Sequence, residues 1–147
     1  MAHTYFCIGS YYGGDRTDEL LCSLRSAKIP NYSILLNEQD GKGRISFSVI
    51  YNALLNAAFA DPECEFAWAL GDDIFLGAHT LVNTQARMVD KEIGVIAPSE
   101  GWLEQNIPVT YVPFTNEKKH PAKALIQEDI DNIFTGFACA CIRREAW

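Results

Sequence analysis

Two neighbouring carboxylates follow a short apolar run near the middle of the chain. The run occupies residues 66–70, and Gly71, Asp72 and Asp73 come directly after it. A run this short suits a buried strand better than a helix, and such a strand would deliver both acids to one edge of a sheet. Because buried charge is costly unless it is compensated, we expect a cation or hydrogen-bond donors nearby. We interpret Asp72 and Asp73 as ligands of a divalent metal that carries a phosphate-bearing substrate; a solvated turn is the alternative.

The elements around this run decide where the acids lie. Apolar and β-branched runs predict strands at residues 4–8, 32–36, 66–70, 93–98, 109–113 and 133–142. Apolar residues at helical spacing predict helices at residues 15–27, 44–60 and 78–89. Residues 99–107 are polar and are predicted to be irregular. Alternating strands and helices predict an α/β fold in one domain over residues 1–147, with a mostly parallel central sheet flanked by helices.

The spacing of apolar residues also predicts which helix faces pack on the sheet. On the second helix these positions are Phe47, Ile50, Leu54 and Ala58. On the third helix the inward positions are Leu81, Val82 and Met88. Asn52 and Asn56 lie one turn apart and off the stripe of the second helix, where an asparagine is most often a solvated polar residue.

Composition limits the class of protein. Of the 147 residues, 48% are hydrophobic and 21% are charged, which is typical of a globular domain. No apolar run approaches the roughly 20 residues that span a bilayer, and the N-terminus lacks the basic and apolar regions of a signal peptide, so we expect a cytoplasmic protein without a membrane span. The net charge of -7 argues against a nucleic-acid partner. An acidic protein that handles nucleotides would need a metal to offset charge repulsion.

The five cysteines form no C-x-x-C pair, so neither a disulfide framework nor a zinc knuckle is indicated. We interpret them as small buried hydrophobic residues. Cys139 and Cys141 alternate along the last predicted strand and should share one face of it.

Three predicted loops should converge at one edge of the sheet, because ligands of open α/β sheets bind outside the carboxyl ends of the strands. Residues 9–14 contain glycines that allow close backbone approach, and Tyr11 and Tyr12 are aromatic surfaces for a base. Residues 37–43 begin with Asn37 and Glu38, which could bind a base or ribose. With the acids of residues 71–73, these loops predict a nucleoside diphosphate pocket. Neither the G-x-G-x-x-G spacing of dinucleotide sites nor a P-loop is present, which sets NAD enzymes and P-loop ATPases aside.

The order of these motifs resembles the nucleotide-binding part of a GT-A fold glycosyltransferase, nearest the family-two inverting enzymes that include rhamnosyltransferase-like members. Residues 8–11 resemble the family's first strand, which ends in a small residue and a tyrosine. Residues 47–52 resemble its asparagine-bearing helix, and residues 70–73 its acidic metal motif. Residues 135–144 resemble its later strand, which ends in arginines.

The resemblance implies a Rossmann-like GT-A fold, a nucleotide-diphosphate sugar as donor and a glycan or other hydroxyl compound as acceptor. It implies that Mg²⁺ or Mn²⁺ is held by Asp73, with Asp72 supporting it or contacting the ribose. The residues expected to bind the nucleotide are Ser10, Tyr11, Asn37, Asn52 and Asp72.

The chain departs from the family pattern at three places. Gly71 occupies the first acidic position of the fuller metal motif, and Asn37 stands where the family commonly has an aspartate that reads the base. The family's general base lies beyond the arginine-bearing strand, whereas this chain ends at Trp147, so the acceptor-binding half is expected to be reduced or missing. The catalytic residue is therefore unassigned; Glu145, Asp129 and Asp131 are possible substitutes.

Two other functions fit the same pattern. One is a nucleotide-binding module without turnover, and the other is a metal-dependent nucleotidyltransferase, which would share the metal but release pyrophosphate. A shortened sheet could also leave an apolar surface that pairs with a second copy of the chain.

Overall fold

The computed structural model describes residues 2–10, 15–39, 45–72, 74, 76, 79–97, 100–102, 107–109 and 139–147. Its strands are β1 His3–Ser10, β2 Tyr32–Glu38, β3 Cys64–Gly71, β4 Val95–Ile96, β5 Glu100–Trp102, β6 Ile107–Val109 and β7 Cys139–Arg143. Its helices are α1 Asp15–Ser26, α2 Phe47–Ala60 and α3 Thr80–Arg87, with a 3-10 turn at Arg144–Ala146.

The main sheet has five strands in the order β2-β1-β3-β7-β4. β1 pairs in parallel with β2 on one side and with β3 on the other, whereas β7 pairs antiparallel with both β3 and β4. The α/β fold with alternating strands and helices is thus confirmed. The sheet is mixed rather than mostly parallel, since β7 runs against its neighbours on both sides and only β1, β2 and β3 form a continuous parallel core.

Alternation along the strands divides the core into two layers, one on each face of the sheet. Phe6, Ile8, Trp68 and Leu70 pack against α1 and α3, together with helix residues that include Leu20. On the other face, Cys7, Ala67 and Ala69 pack against α2. Trp68 is fully buried, which agrees with the prediction that residues 66–70 form a buried strand.

The buried face of α2 differs from the predicted one. The helix begins at Phe47 rather than at residue 44, because the hydroxyl of Ser46 caps it by accepting a hydrogen bond from the Val49 amide. Its buried residues are Ile50, Tyr51, Leu55 and Ala58. The prediction that Phe47 faces inward is wrong, since its side chain is 50% exposed. The face is rotated because the ring of Tyr51 packs directly on the backbone of Gly9.

Smaller corrections apply elsewhere. On α3, Leu81 and Met88 are buried as predicted, but Val82 is 38% exposed and Thr84 takes the third inward position. β4 has two residues instead of the six predicted at 93–98. Within residues 99–107, which were predicted to be irregular, β5 and the start of β6 form an antiparallel pair. Residues 110–113 of the predicted edge strand lie outside the described residues.

The ends of β1 and β2 extend beyond the predicted strands. Gly9 pairs with Asn37 and Ser10 with Glu38, so residues predicted to open two loops are instead the last rungs of the ladder. Polar side chains do not prevent this pairing, because the backbone groups form the ladder and the register between neighbouring strands sets its length.

The cysteines behave as small core residues with one exception. Cys7, Cys64, Cys139 and Cys141 are buried, whereas Cys22 is exposed on α1, and all five are free thiols. Cys139 and Cys141 pack in the same layer, which confirms that they share a face. Burial raises the pKa of Cys7 to about 12 and that of Cys64 to about 11. Among the described residues, no helix is long and apolar enough to cross a bilayer.

Candidate functional site

The strand order changes direction at β1, because the chain places β2 on one side of it and β3 on the other. Gly9 is in register with both Asn37 of β2 and Gly71 of β3, so these three strands end at the same level. We call this end of the sheet the carboxyl edge and the opposite end the amino edge. In doubly wound sheets, the crevice at such a reversal of strand order is the usual position of a bound ligand.

A chain of two hydroxyls holds Asp72 at the carboxyl edge. The Ser10 hydroxyl donates to Oδ2 of Asp72 at 2.8 Å, and the Thr17 hydroxyl donates to Oγ of Ser10 at 3.1 Å. Ser10 is 1% exposed and Thr17 2% exposed, so both hydroxyls are shielded from water. Asp72 itself is only partly buried. The carboxylate is therefore oriented through one oxygen, while the residue as a whole remains accessible.

Sequence reasoning missed the part played by Thr17, although a signal was present. Thr17 lies three residues before Leu20 and seven before Leu24, both of which are buried on α1. This helical spacing places it on the inward stripe, where a polar side chain needs a buried partner. Ser10 supplies that partner from β1.

On the opposite face of the sheet, Tyr51 joins the same two strand ends. Its hydroxyl accepts a hydrogen bond from the Gly9 amide at 3.2 Å and donates one to the Leu70 carbonyl at 2.5 Å. Tyr51 is 5% exposed and belongs to α2, so three elements meet at its phenol group. Nothing in the sequence analysis singled it out.

Asn37 leaves the sheet on the α2 face, because it follows Leu35 by two positions and Leu35 packs in the α2 layer. Its Oδ1 is shielded from solvent and accepts no hydrogen bond from the described part of the chain. An unsatisfied buried acceptor costs about 1–3 kcal/mol. Such an atom is a natural partner for a donor group on a ligand.

The other predicted nucleotide and metal residues are placed as follows. Asn52 is exposed on α2, next to Tyr51, and takes no part in the hydrogen bonds given above. Tyr11, Tyr12 and Asp73 lie outside the described residues. The structure thus brings Ser10 and Asp72 into contact and leaves Asn52 on the outer face of its helix.

The described residues offer a divalent metal one carboxylate, that of Asp72. The described residues contain no cluster of three or more histidine, cysteine or acidic side chains, so they form no complete protein cage for an ion. Mg²⁺ and similar ions, however, are usually held by one or two carboxylates together with substrate phosphates and water. Oδ1 of Asp72, the oxygen that Ser10 does not contact, is suited to that role.

The two arginines at the end of β7 are structural. Arg143 is buried and donates to the carbonyls of Met88, Asp90 and Ile93, which follow α3. Arg144 donates to the carbonyls of Phe59, Asp61 and Cys64, which join the end of α2 to β3. Both guanidinium groups therefore hold helix ends at the amino edge, because Arg143 is in register with Phe66 near the start of β3.

None of the three residues suggested as a general base is described at the carboxyl edge. Glu145 is exposed in the 3-10 turn that follows Arg143, and this turn packs near β3 at the amino edge. It is thus at the opposite end of the sheet from Asp72. Asp129 and Asp131 lie outside the described residues.

A second tyrosine occupies the amino edge and completes a separate polar cluster. The Tyr5 hydroxyl donates to Oδ2 of Asp61 at 2.8 Å, and the Glu63 amide donates to Oδ1 of Asp61 at 2.9 Å. The Glu63 amide and then the Tyr5 hydroxyl lower the pKa of Asp61, while its hydrogen bond to Asp61 raises the pKa of Tyr5. Both oxygens of Asp61 are satisfied by the protein, so this cluster supports the turn into β3.

The carboxyl edge therefore offers an oriented carboxylate, a shielded amide oxygen and glycine backbone between two parallel strands. The carboxylate lies on the α1 face of the sheet and the amide oxygen on the α2 face. Comparison of the chain with protein-family models, with curated proteins and with solved structures finds no match.

Proposed function

We propose that this chain is a metal-dependent glycosyltransferase of the GT-A type, or the donor-binding domain of one, which uses a nucleotide-sugar and an unidentified hydroxyl acceptor. The observation that carries the proposal is the 2.8 Å hydrogen bond from Ser10 to Asp72, made where the strand order reverses. It joins two residues that the motif order had assigned to one donor pocket.

The described residues suggest how a donor would bind. Asp72 offers Oδ1 to a cation bound to the diphosphate, and Asp73, its neighbour in sequence, is proposed as a second ligand. Asn37 offers its shielded oxygen to a donor group of the base. Mg²⁺ or Mn²⁺ bound here would stabilise negative charge on the departing nucleoside diphosphate.

A second candidate is a donor-binding module without turnover. The position of Glu145 favours it, because an acid at the amino edge is too far from the carboxyl edge to activate an acceptor hydroxyl there. A general base must lie within hydrogen-bond reach of the proton that it removes.

Calorimetric titration with nucleoside diphosphates, with and without Mn²⁺, tests the binding part of the proposal. We expect UDP or another nucleoside diphosphate to bind with Mn²⁺ and to bind at least about tenfold more weakly to Asp72→Asn, a loss of about 1.4 kcal/mol. The asparagine still accepts a hydrogen bond from Ser10, so the fold should be retained.

Glu63→Gln is the matched control, since Glu63 is exposed just before β3, at the amino edge. It removes the same charge and should leave the affinity unchanged. Equal affinities of wild type and Asp72→Asn would show that the site is wrongly assigned. Release of free sugar or nucleoside diphosphate from a nucleotide-sugar separates the transferase from the binding module.

A further inference from the structure

The Tyr51 hydroxyl contacts the last rung between β1 and β3. Gly9 and Gly71 are in register, and the Ser10 carbonyl accepts from the Gln39 amide on the β2 side. Successive residues of β1 direct their backbone groups to opposite neighbouring strands. Since Ser10 faces β2, the Gly9 amide faces β3, where its ladder partner is the Leu70 carbonyl. These two backbone groups are the ones that Tyr51 contacts, at 3.2 Å and 2.5 Å.

The ring of Tyr51 is as closely fitted as its hydroxyl. A Cβ added to Gly9 would lie 3.1 Å from Cε2 of Tyr51 and 3.3 Å from Cγ2 of Ile50, so only glycine allows the ring to approach this backbone without displacement. On its other side the ring packs against Phe47, with centroids 4.2 Å apart. The phenol is therefore held by α2 and cannot move independently of the two strand ends.

We propose that Tyr51 is a positioning residue of the candidate site, an inference that rests on the proposed function. The residue after Gly9 is Ser10, and the second residue after Leu70 is Asp72. By binding the Gly9 amide and the Leu70 carbonyl together, Tyr51 sets the separation of the strand ends from which this hydrogen-bonded pair extends. It acts on Asp72 through the backbone and from the α2 face, while Thr17 acts through Ser10 from the α1 face.

Removal of this hydroxyl should affect ligand binding more than folding. In Tyr51→Phe the Gly9 amide and the Leu70 carbonyl remain ladder partners, so they can pair directly and neither is left unsatisfied. Without the hydroxyl, α2 no longer fixes the two strand ends relative to each other, and Asp72 can shift relative to the crevice. Small displacements of a binding group weaken a site that depends on a fixed geometry.

The test is the affinity of full-length Tyr51→Phe for UDP with Mn²⁺, measured by calorimetry beside its melting temperature. We expect the dissociation constant to rise at least about tenfold, with a small change in melting temperature. Tyr5→Phe is the matched control, because it removes a hydroxyl from the amino edge, where the partner is Asp61. It should lower the melting temperature and leave the affinity unchanged.

Gly9→Ala provides a second variant, since the added methyl displaces the Tyr51 ring without removing its hydroxyl. It should weaken binding in the same direction. If wild type binds UDP with Mn²⁺ and Tyr51→Phe binds equally well, the role of Tyr51 is contradicted while the proposed function stands. If wild type itself does not bind any nucleoside diphosphate, both are contradicted.

Discussion

At the scale of single residues, the site depends on hydroxyl groups that already donate their hydrogen to a neighbouring side chain. Ser10 donates to Asp72 and accepts from Thr17, so the carboxylate is held by a hydroxyl that is itself oriented. Serine at position 10 is thus better explained by its effect on Asp72 than by direct contact with a nucleotide.

Thr17→Val tests this orientation because valine has nearly the same shape and lacks the donor. We expect the free energy of unfolding to fall by about 1 kcal/mol, and the dissociation constant for UDP with Mn²⁺ to rise a few-fold, as measured by chemical denaturation and calorimetry.

Thr84→Val is the control, since Thr84 is also a buried threonine, on α3 and outside the Ser10–Asp72 contact. It should leave the affinity unchanged. Binding by Thr17→Val that is indistinguishable from that of wild type would mean that Ser10 orients Asp72 without help from α1.

At the scale of elements, α2 is the helix that connects the two edges of the sheet. Its first turns carry Ser46 as the cap and Tyr51 at the carboxyl edge, while its last turn ends at the amino edge beside Arg144. Arg144 donates to three carbonyls, of which Phe59 lies in the last turn of α2. A cation at a helix C-terminus also interacts favourably with the helix dipole.

Arg144→Gln should therefore destabilise the fold without affecting the site. Loss of charged hydrogen bonds to carbonyls at the end of α2 should lower the free energy of unfolding by about 2–3 kcal/mol, as measured by urea denaturation. Binding of UDP with Mn²⁺ at a temperature where the variant is folded should be unchanged.

The control for charge alone is Arg87→Gln, because Arg87 is exposed on α3. It should change stability by less than about 0.5 kcal/mol. A large loss of nucleotide affinity in Arg144→Gln would contradict the structural role assigned to this arginine.

At the scale of the whole molecule, one sheet with a layer of helix on each face accounts for both stability and the position of the site. Four of the five cysteines are divided between the two layers, with Cys7 and Cys64 on the α2 face and Cys139 and Cys141 on the other. The chain leaves β4 and enters β7 at the carboxyl edge, since β4 runs parallel to β3 and β7 begins opposite Leu70. The start of β7 thus lies next to the end of β3 that leads to Asp72.

Thiol labelling tests whether both core layers exclude reagent in the native chain. Burial raises the pKa of Cys7 and Cys64, so these thiols are protected from alkylation both by exclusion of reagent and by a low thiolate fraction. At pH 8 the native chain should add one iodoacetamide group rapidly, at Cys22, and all five in denaturant, as counted by mass spectrometry.

Cys22→Ser provides the control, because it should abolish the rapid reaction and leave the other four thiols protected. Rapid modification of more than one thiol in the native wild-type chain would show that one of the two layers opens readily.

Local patterns were sufficient to predict most of the elements. Apolar spacing and turn residues are properties of neighbouring positions, so β1, α1, β2, α2, β3 and α3 were each predicted within a few residues of their observed bounds. The same patterns were less reliable where long-range contacts compete with them. Phe47 and Val82 occupy apolar positions of a helical pattern, yet packing turned both toward solvent.

In the candidate site, the position of Asp72 was predictable, but the contacts that hold it were not. Asp72 follows an apolar strand in the sequence, so its place at a strand end could be inferred from neighbouring residues alone. Its contact with Ser10 spans 62 positions, and the contact of Tyr51 with Gly9 spans 42. Contacts of this kind exist only after β1 has paired with β3 in one register and α2 has packed across both strands, because pairing between distant segments is set by the assembled sheet and not by local sequence.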